Sequence, residues 1–239
     1  MLRAAIIANT AWAALVLTGC TATMASTDDG EATDVEAVRL TFVDRQEAID
    51  QVVSAETAFA ERAQRDGQWT AFRATAAPGA WMFVPQPVRA EQWLAGRADP
   101  PQAVRWQPRE VWLSCDATLA VSTGAWQRPD GTHGYFTTIW QRQAMGDWRW
   151  VLDHGDSEIA PQAPISSVRS HVPNCPMRWA GTPVAQPADP LGLSGASRDG
   201  SMEWTARVGD DGARQITVRL ISPDGMVPII DNSVPAATP

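Results

Sequence analysis

Apolar residues recur along this chain with two different periods, and the change from one to the other divides it. From Asp44, with Glu47 at capping-box spacing, Ile49, Val52, Val53, Phe59 and Ala63 repeat at helical intervals until Gly67, which predicts a long amphipathic helix. Trp69, Phe72, Arg73 and Ala76 predict a second, shorter helix that Pro78-Gly79 ends. Ala80 to Val84 reads as a short apolar strand, and Pro85-Gln86-Pro87 turns the chain into a brief helix around Glu91, Trp93 and Leu94.

Beyond Val104 the period falls to two. Val104 to Gln107, Arg109 to Cys115, Thr118 to Arg128, His133 to Gln143 and Trp148 to His154 read as strands. Pro129-Asp130-Gly131 and Met145-Gly146-Asp147 supply turn residues between the last three, which predicts an antiparallel meander. After Asp156 the chain is punctuated by Pro161, Pro164, Pro173, Pro176, Pro183, Pro187 and Pro190, the mark of an irregular wrap. Met202, Trp204, Ala206 and Val208 then alternate toward Asp210-Asp211-Gly212, and Ile216, Val218 and Leu220 alternate on the return, a hairpin near 202–221. Helices first and strands afterwards make the fold class α+β, with a domain over 38–156 and a proline-rich C-terminal extension over 157–239.

Ahead of these elements, Met1-Leu2-Arg3 opens a mostly apolar run that closes on Leu17-Thr18-Gly19-Cys20. The run is too short to span a bilayer and has the anatomy of a signal peptide over 1–19. Leu-Thr-Gly-Cys resembles the lipobox of bacterial lipoproteins, which implies lipidation of Cys20 and anchoring in the cell envelope. Thr21 in place of an aspartate favours the periplasmic side of the outer membrane; cleavage near Ala25 to a secreted or soluble periplasmic form is the alternative. Residues 20–37, small, polar and acidic without periodicity, read as a flexible tether.

Composition removes several chemistries. The chain carries 19 basic against 27 acidic residues, a net charge of −8, and every basic residue is arginine. Without lysine there is no Schiff-base, phosphate-loop or Ser-Lys chemistry. Net acidity without a basic cluster argues against nucleic acid and against a polybasic lipid surface. Besides Cys20 only Cys115 and Cys175 remain, a natural disulfide in an oxidising compartment, with two buried free thiols as the alternative. His133, His154 and His171 are scattered, so no metal or other cofactor is expected.

Particular phrases carry a family resemblance. Ala58-Phe59-Ala60, Ala80-Trp81-Met82-Phe83-Val84-Pro85, Thr123-Gly124-Ala125-Trp126, Gly134-Tyr135-Phe136-Thr137-Thr138-Ile139-Trp140 and Trp148 through Asp156 are similar to the SnoaL-like branch of the nuclear transport factor 2-like superfamily. The resemblance covers roughly 44–156 and implies a cone-shaped, curved antiparallel sheet packed on N-terminal helices around an apolar pocket. That scaffold serves isomerases, dehydratases, cyclases and non-catalytic binding modules alike, so chemistry must be read from the site.

Strand alternation across the meander puts Phe136, Thr138, Trp140, Trp150, Leu152 and His154 on one face, and Tyr135, Thr137, Ile139, Gln141, Arg149, Val151 and Asp153 on the other. The first face is the more aromatic and is assigned to the interior. His154, with Asp156 to orient it, is then the candidate catalytic base; a hydrogen-bonded structural histidine is the bland alternative. Phe136, Trp140, Trp150, Trp81 and Trp69 are candidate pocket residues, against core filling, and Arg73 and Arg105 are candidate anion contacts, against structural pairing. A Ser122, His154, Asp156 triad lacks a nucleophile elbow. The leading expectation is an envelope lipoprotein that binds a small apolar ligand or a partner protein without catalysis. The alternative is a cofactor-independent isomerase, dehydratase or cyclase, and a homodimer is compatible with either.

Overall fold

The computed structural model describes residues 30–158, 160–163, 165–175 and 193–236, with side chains from Arg45 onward. The signal peptide over 1–19, Cys20 and the first part of the tether lie outside the described residues.

Helix α1 spans Gly30–Asp66, so it opens well ahead of Asp44, includes 30–37 of the expected tether, and leaves Asp44 in its interior rather than at its cap. Its buried stripe, Ile49, Val52, Glu56, Phe59 and Ala63, follows the spacing of three and four that keeps one helical face on a core. Helix α2 spans Gln68–Thr75, strand β1 Ala76–Phe83, β2 Pro87–Arg89 and helix α3 Ala90–Leu94. Then come β3 Arg105–Leu113, β4 Leu119–Gln127, β5 His133–Arg142, β6 Trp148–Ser157 and the short β7 Arg169–His171. The two runs expected on either side of Pro108 are one strand, β3, whose register shifts opposite β4 between Pro108 and Glu110.

These strands form one curved sheet in the order β2-β1-β6-β5-β4-β3-β7. The sheet is mixed rather than antiparallel, because β1 runs parallel to β6 and β7 parallel to β3. The expected meander is its centre, with Gly131 and Gly146 at φ 89° and 92° in the two reversals, where a side chain would be strained. The helices cover one face, packing Phe59, Phe72, Met82, Val111, Leu113, Trp140 and Trp150 into one core.

The extension is more than a hairpin. Strands β8 Ser194–Ala196, β9 Met202–Val208, β10 Arg214–Ser222 and β11 Gly225–Val234 form a second, four-stranded sheet in the order β11-β10-β9-β8. Its Met202, Trp204, Ile216, Val218 and Ile230 pack with Leu119, Val121, Ile139 and Leu152 of the first sheet in a second core. The centre of the larger sheet is therefore covered on both faces. Asn232 lies within β11 and accepts a 2.8 Å hydrogen bond from Thr137.

Cys115 and Cys175 are joined with Cα atoms 5.7 Å apart across a sequence separation of 60. Next to this staple the loops of the two sheets exchange hydrogen bonds: Cys115 N–H to Ser201 Oγ at 2.8 Å, Arg198 N–H to Thr118 Oγ1 at 3.1 Å and Asp199 N–H to Asp116 Oδ2 at 3.0 Å.

Candidate functional site

Strand β6 decides the chemistry through one extra residue. Trp140 pairs with Trp150 but Ile139 pairs with Leu152, so Val151 is a bulge against β5. Beyond it the faces exchange. Thr138 and Asp153 now share the helix-covered side with Trp140 and Trp150, while Thr137 and His154 turn to the second sheet with Ile139 and Leu152. This corrects the facing read from simple alternation, which put His154 inside and Asp153 outside.

His154 is 1% exposed and lies edge-on to Phe83 at 5.2 Å. Its Nε2 accepts from Arg214 Nε at 3.0 Å, and Arg214 also reaches Asp156 at 3.3 Å. Asp156 thus holds the arginine, not the imidazole. Burial, helped by the adjacent guanidinium, pushes the His154 pKa down to about 4. In this arrangement its Nε2 is occupied by the Arg214 hydrogen bond.

A cavity of about 510 Å³ lies between the helices and the bulged end of the sheet. Phe59, Trp69, Phe72, Trp93, Trp106, Trp126 and Phe136 are among the residues of its wall. Several meet edge to face, with ring centroids 4.8 Å apart for Phe59 and Phe72 and 4.9 Å for Phe59 with Trp106 and Trp69 with Trp93. Trp126 lies flat across its cross-strand partner Gly134, where an added Cβ would stand 2.5 Å from the indole. His154, Gly155, Asp156 and Arg214 contribute where the cavity runs over the end of β6.

The chemistry-bearing group in this wall is Asp153. Oδ2 accepts from Thr138 Oγ1 at 3.0 Å, and Oδ1 has no hydrogen-bond partner among the described residues. Burial, with the nearby Glu56 carboxyl and against the Thr138 hydrogen bond, raises its pKa to about 7. A carboxyl in that range both accepts and returns a proton at neutral pH.

Glu56 stands behind it, fully buried, accepting from Trp106 Nε1 at 2.8 Å, Ser122 Oγ at 2.5 Å and Trp140 Nε1 at 3.0 Å. Burial raises its pKa against these three donors. It ties α1 to β3, β4 and β5. Sequence reasoning passed over this residue although a carboxylate inside the apolar stripe of α1 was its signal.

Of the expected pocket residues, Phe136 and Trp69 line the cavity. Trp140 and Trp150 are 0% exposed and fill the core beneath it, Trp150 donating to Thr75 Oγ1 at 2.9 Å. Trp81 faces the second sheet under the Arg89 guanidinium, 4.1 Å from its ring. Arg73 is spent on the carbonyls of Leu94 and Arg97 at 2.9 and 3.1 Å, and Arg105 borders a separate, polar groove.

No protein-family model matches this sequence, and no curated protein matches it either. Among solved structures, a candidate ketosteroid isomerase from Parabacteroides distasonis ATCC 8503 is 13% identical over 45% of this chain and 86% of its own, at a TM-score of 0.36. A candidate aromatic ring hydroxylase from Novosphingobium aromaticivorans is 11% identical over 48% and 91%, at 0.36. A candidate ketosteroid isomerase from Shewanella frigidimarina NCIMB 400 is 18% identical over 46% and 94%, at 0.34.

Proposed function

We propose that this chain binds a small, flat, largely apolar molecule in the aromatic cavity and that Asp153 exchanges a proton with it, as a cofactor-independent isomerase or lyase would. One observation carries the reading: a carboxyl oxygen without a partner among the described residues, on a group with pKa about 7, at the wall of an aromatic cavity of about 510 Å³. In its ionised form Asp153 removes a proton from the carbon beside a carbonyl, the electron pair moves into an enolate, and the resulting acid returns the proton at the far end of the conjugated system.

The test is conversion of a β,γ-unsaturated cyclic ketone to its conjugated isomer, followed by ultraviolet absorbance. Asp153→Asn should abolish turnover while ligand still quenches tryptophan fluorescence. Binding without turnover in the wild type would leave a non-catalytic binding module, which the same aromatic walls also support.

We infer further that the protein is exported and held at the cell envelope by lipid on Cys20. The apolar run ending in Leu17-Thr18-Gly19-Cys20 supports this, and the Cys115–Cys175 bridge suits an oxidising compartment. A clickable palmitate analogue should label the wild type and spare Cys20→Ala; equal labelling would remove the anchor.

A further inference from the structure

We propose that Gln68 recognises the ligand by donating its side-chain N–H to a carbonyl oxygen, which assigns the cavity to flat, neutral ketones and related carbonyl compounds. This rests on the reading of the cavity as a ligand site and supplies what Asp153 alone does not, a group that fixes the orientation of the bound molecule.

Gln68 is the first residue of α2, 9% exposed, and lines the cavity. Its position is over-determined. Gly67, at φ 109°, lets the chain turn into α2 in contact with Asp99, and a Cβ there would meet that carboxyl at 2.4 Å. Asp99 accepts from Thr70 N–H at 2.9 Å and from Thr70 Oγ1 at 2.6 Å, which pins the start of the helix. One turn earlier, Gln64 Nε2 donates to Val104 C=O at 2.7 Å, and Val104 N–H donates to Gln68 Oε1 at 3.0 Å.

That last bond settles which end of the amide is which, because a backbone N–H can be met only by the oxygen. The NH2 group is then left without an acceptor among the described residues, in a nine-tenths buried side chain at the cavity wall. An amide N–H so placed is open to the cavity side and available to an acceptor on a ligand. The charge pattern selects a neutral acceptor. Asp153 and Asp156 oppose anions, and of the two cations on the lining Arg214 is engaged with His154 and Asp156 while Arg128 lies over the Trp126 ring at 4.7 Å.

The experiment compares two ligands of one shape, methyl β-naphthyl ketone and β-isopropenylnaphthalene, by quenching of tryptophan fluorescence. The wild type should bind the ketone about tenfold more tightly, the worth of one neutral hydrogen bond in a dry site. Gln68→Glu keeps an oxygen for Val104 N–H but removes the donor, so it should lose the preference while binding the hydrocarbon within about twofold of the wild type. Equal wild-type affinities, which need no variant to measure, or a preference that survives in Gln68→Glu, would overturn the inference. Binding of neither compound would overturn the cavity reading and this inference together. Ketone preference without isomerisation would overturn proton transfer by Asp153 alone.

Discussion

Arg214, on the second sheet, donates its Nε hydrogen to Nε2 of His154 on the first, at 3.0 Å and across 60 residues of sequence. A guanidinium has no acceptor and does not deprotonate, so Nε2 must be the bare nitrogen and the proton sits on Nδ1. The imidazole is neutral and serves as the meeting point of two sheets.

His154 should therefore keep the chemical shifts of a neutral Nδ1–H tautomer down to about pH 5 in a nuclear magnetic resonance titration, since its pKa lies near 4. The linkage sign follows. Between about pH 6.5, the ordinary histidine value, and 4 the native state binds fewer protons than the unfolded chain. Stability present above this window is lost as pH falls through it. Arg214→Met should raise the midpoint of His154, and an unchanged midpoint would show that the guanidinium does not hold it down.

Asp153→Asn should act in two ways. Turnover should fall at least about a hundredfold, and wild-type turnover should rise with pH through about 7 as the carboxyl ionises. Thermal stability should move in the opposite sense. The native carboxyl holds its proton up to about pH 7, well above the ordinary aspartate value near 4, so wild-type stability falls as pH rises through that interval. Asparagine removes this loss and should be more stable than the wild type at pH 8 by on the order of 4 kcal/mol, and equal to it near pH 4. Matching denaturation curves at both pH values would show that the carboxyl is not perturbed.

Glu56→Gln sets an amide NH2 against indole and hydroxyl donors that now converge on one carboxyl group. Urea denaturation should show a loss of about 2 kcal/mol. Loss of only a few tenths would mean that Trp106, Ser122 and Trp140 find other acceptors.

Replacing both Cys115 and Cys175 by serine should cost about 4 kcal/mol in the chain-entropy picture of a loop of this length. In the unreduced native protein neither cysteine should react with a thiol reagent, and rapid labelling of both would show the bridge is absent.

The three helices, the meander with its turns at Gly131 and Gly146, and the apolar stripe of α1 were legible in the sequence, because each depends on local periodicity and backbone freedom; β2, β7, β8 and β11 were not. The site was not. Alternation along Trp148 to His154 names two faces but cannot show the bulge at Val151, which leaves no mark in hydrophobicity when both faces are covered. Arg214 could not be linked to His154 from spacing, since sheet-on-sheet docking brings them together. Gln68 reads as an ordinary helix-start residue until the partner of its oxygen is known.

The second sheet also changes how this molecule depends on its own concentration. Leu119, Val121, Ile139 and Leu152 would otherwise offer an apolar face of the kind that brings two protomers together. Here the cover is part of the same chain and is fastened by a covalent bridge at its approach, so docking is unimolecular and no dilution releases it. A chain cut after Ser157 would lose that protection, and its solubility should fall as its concentration rises, whereas the intact chain should melt at the same temperature across that range.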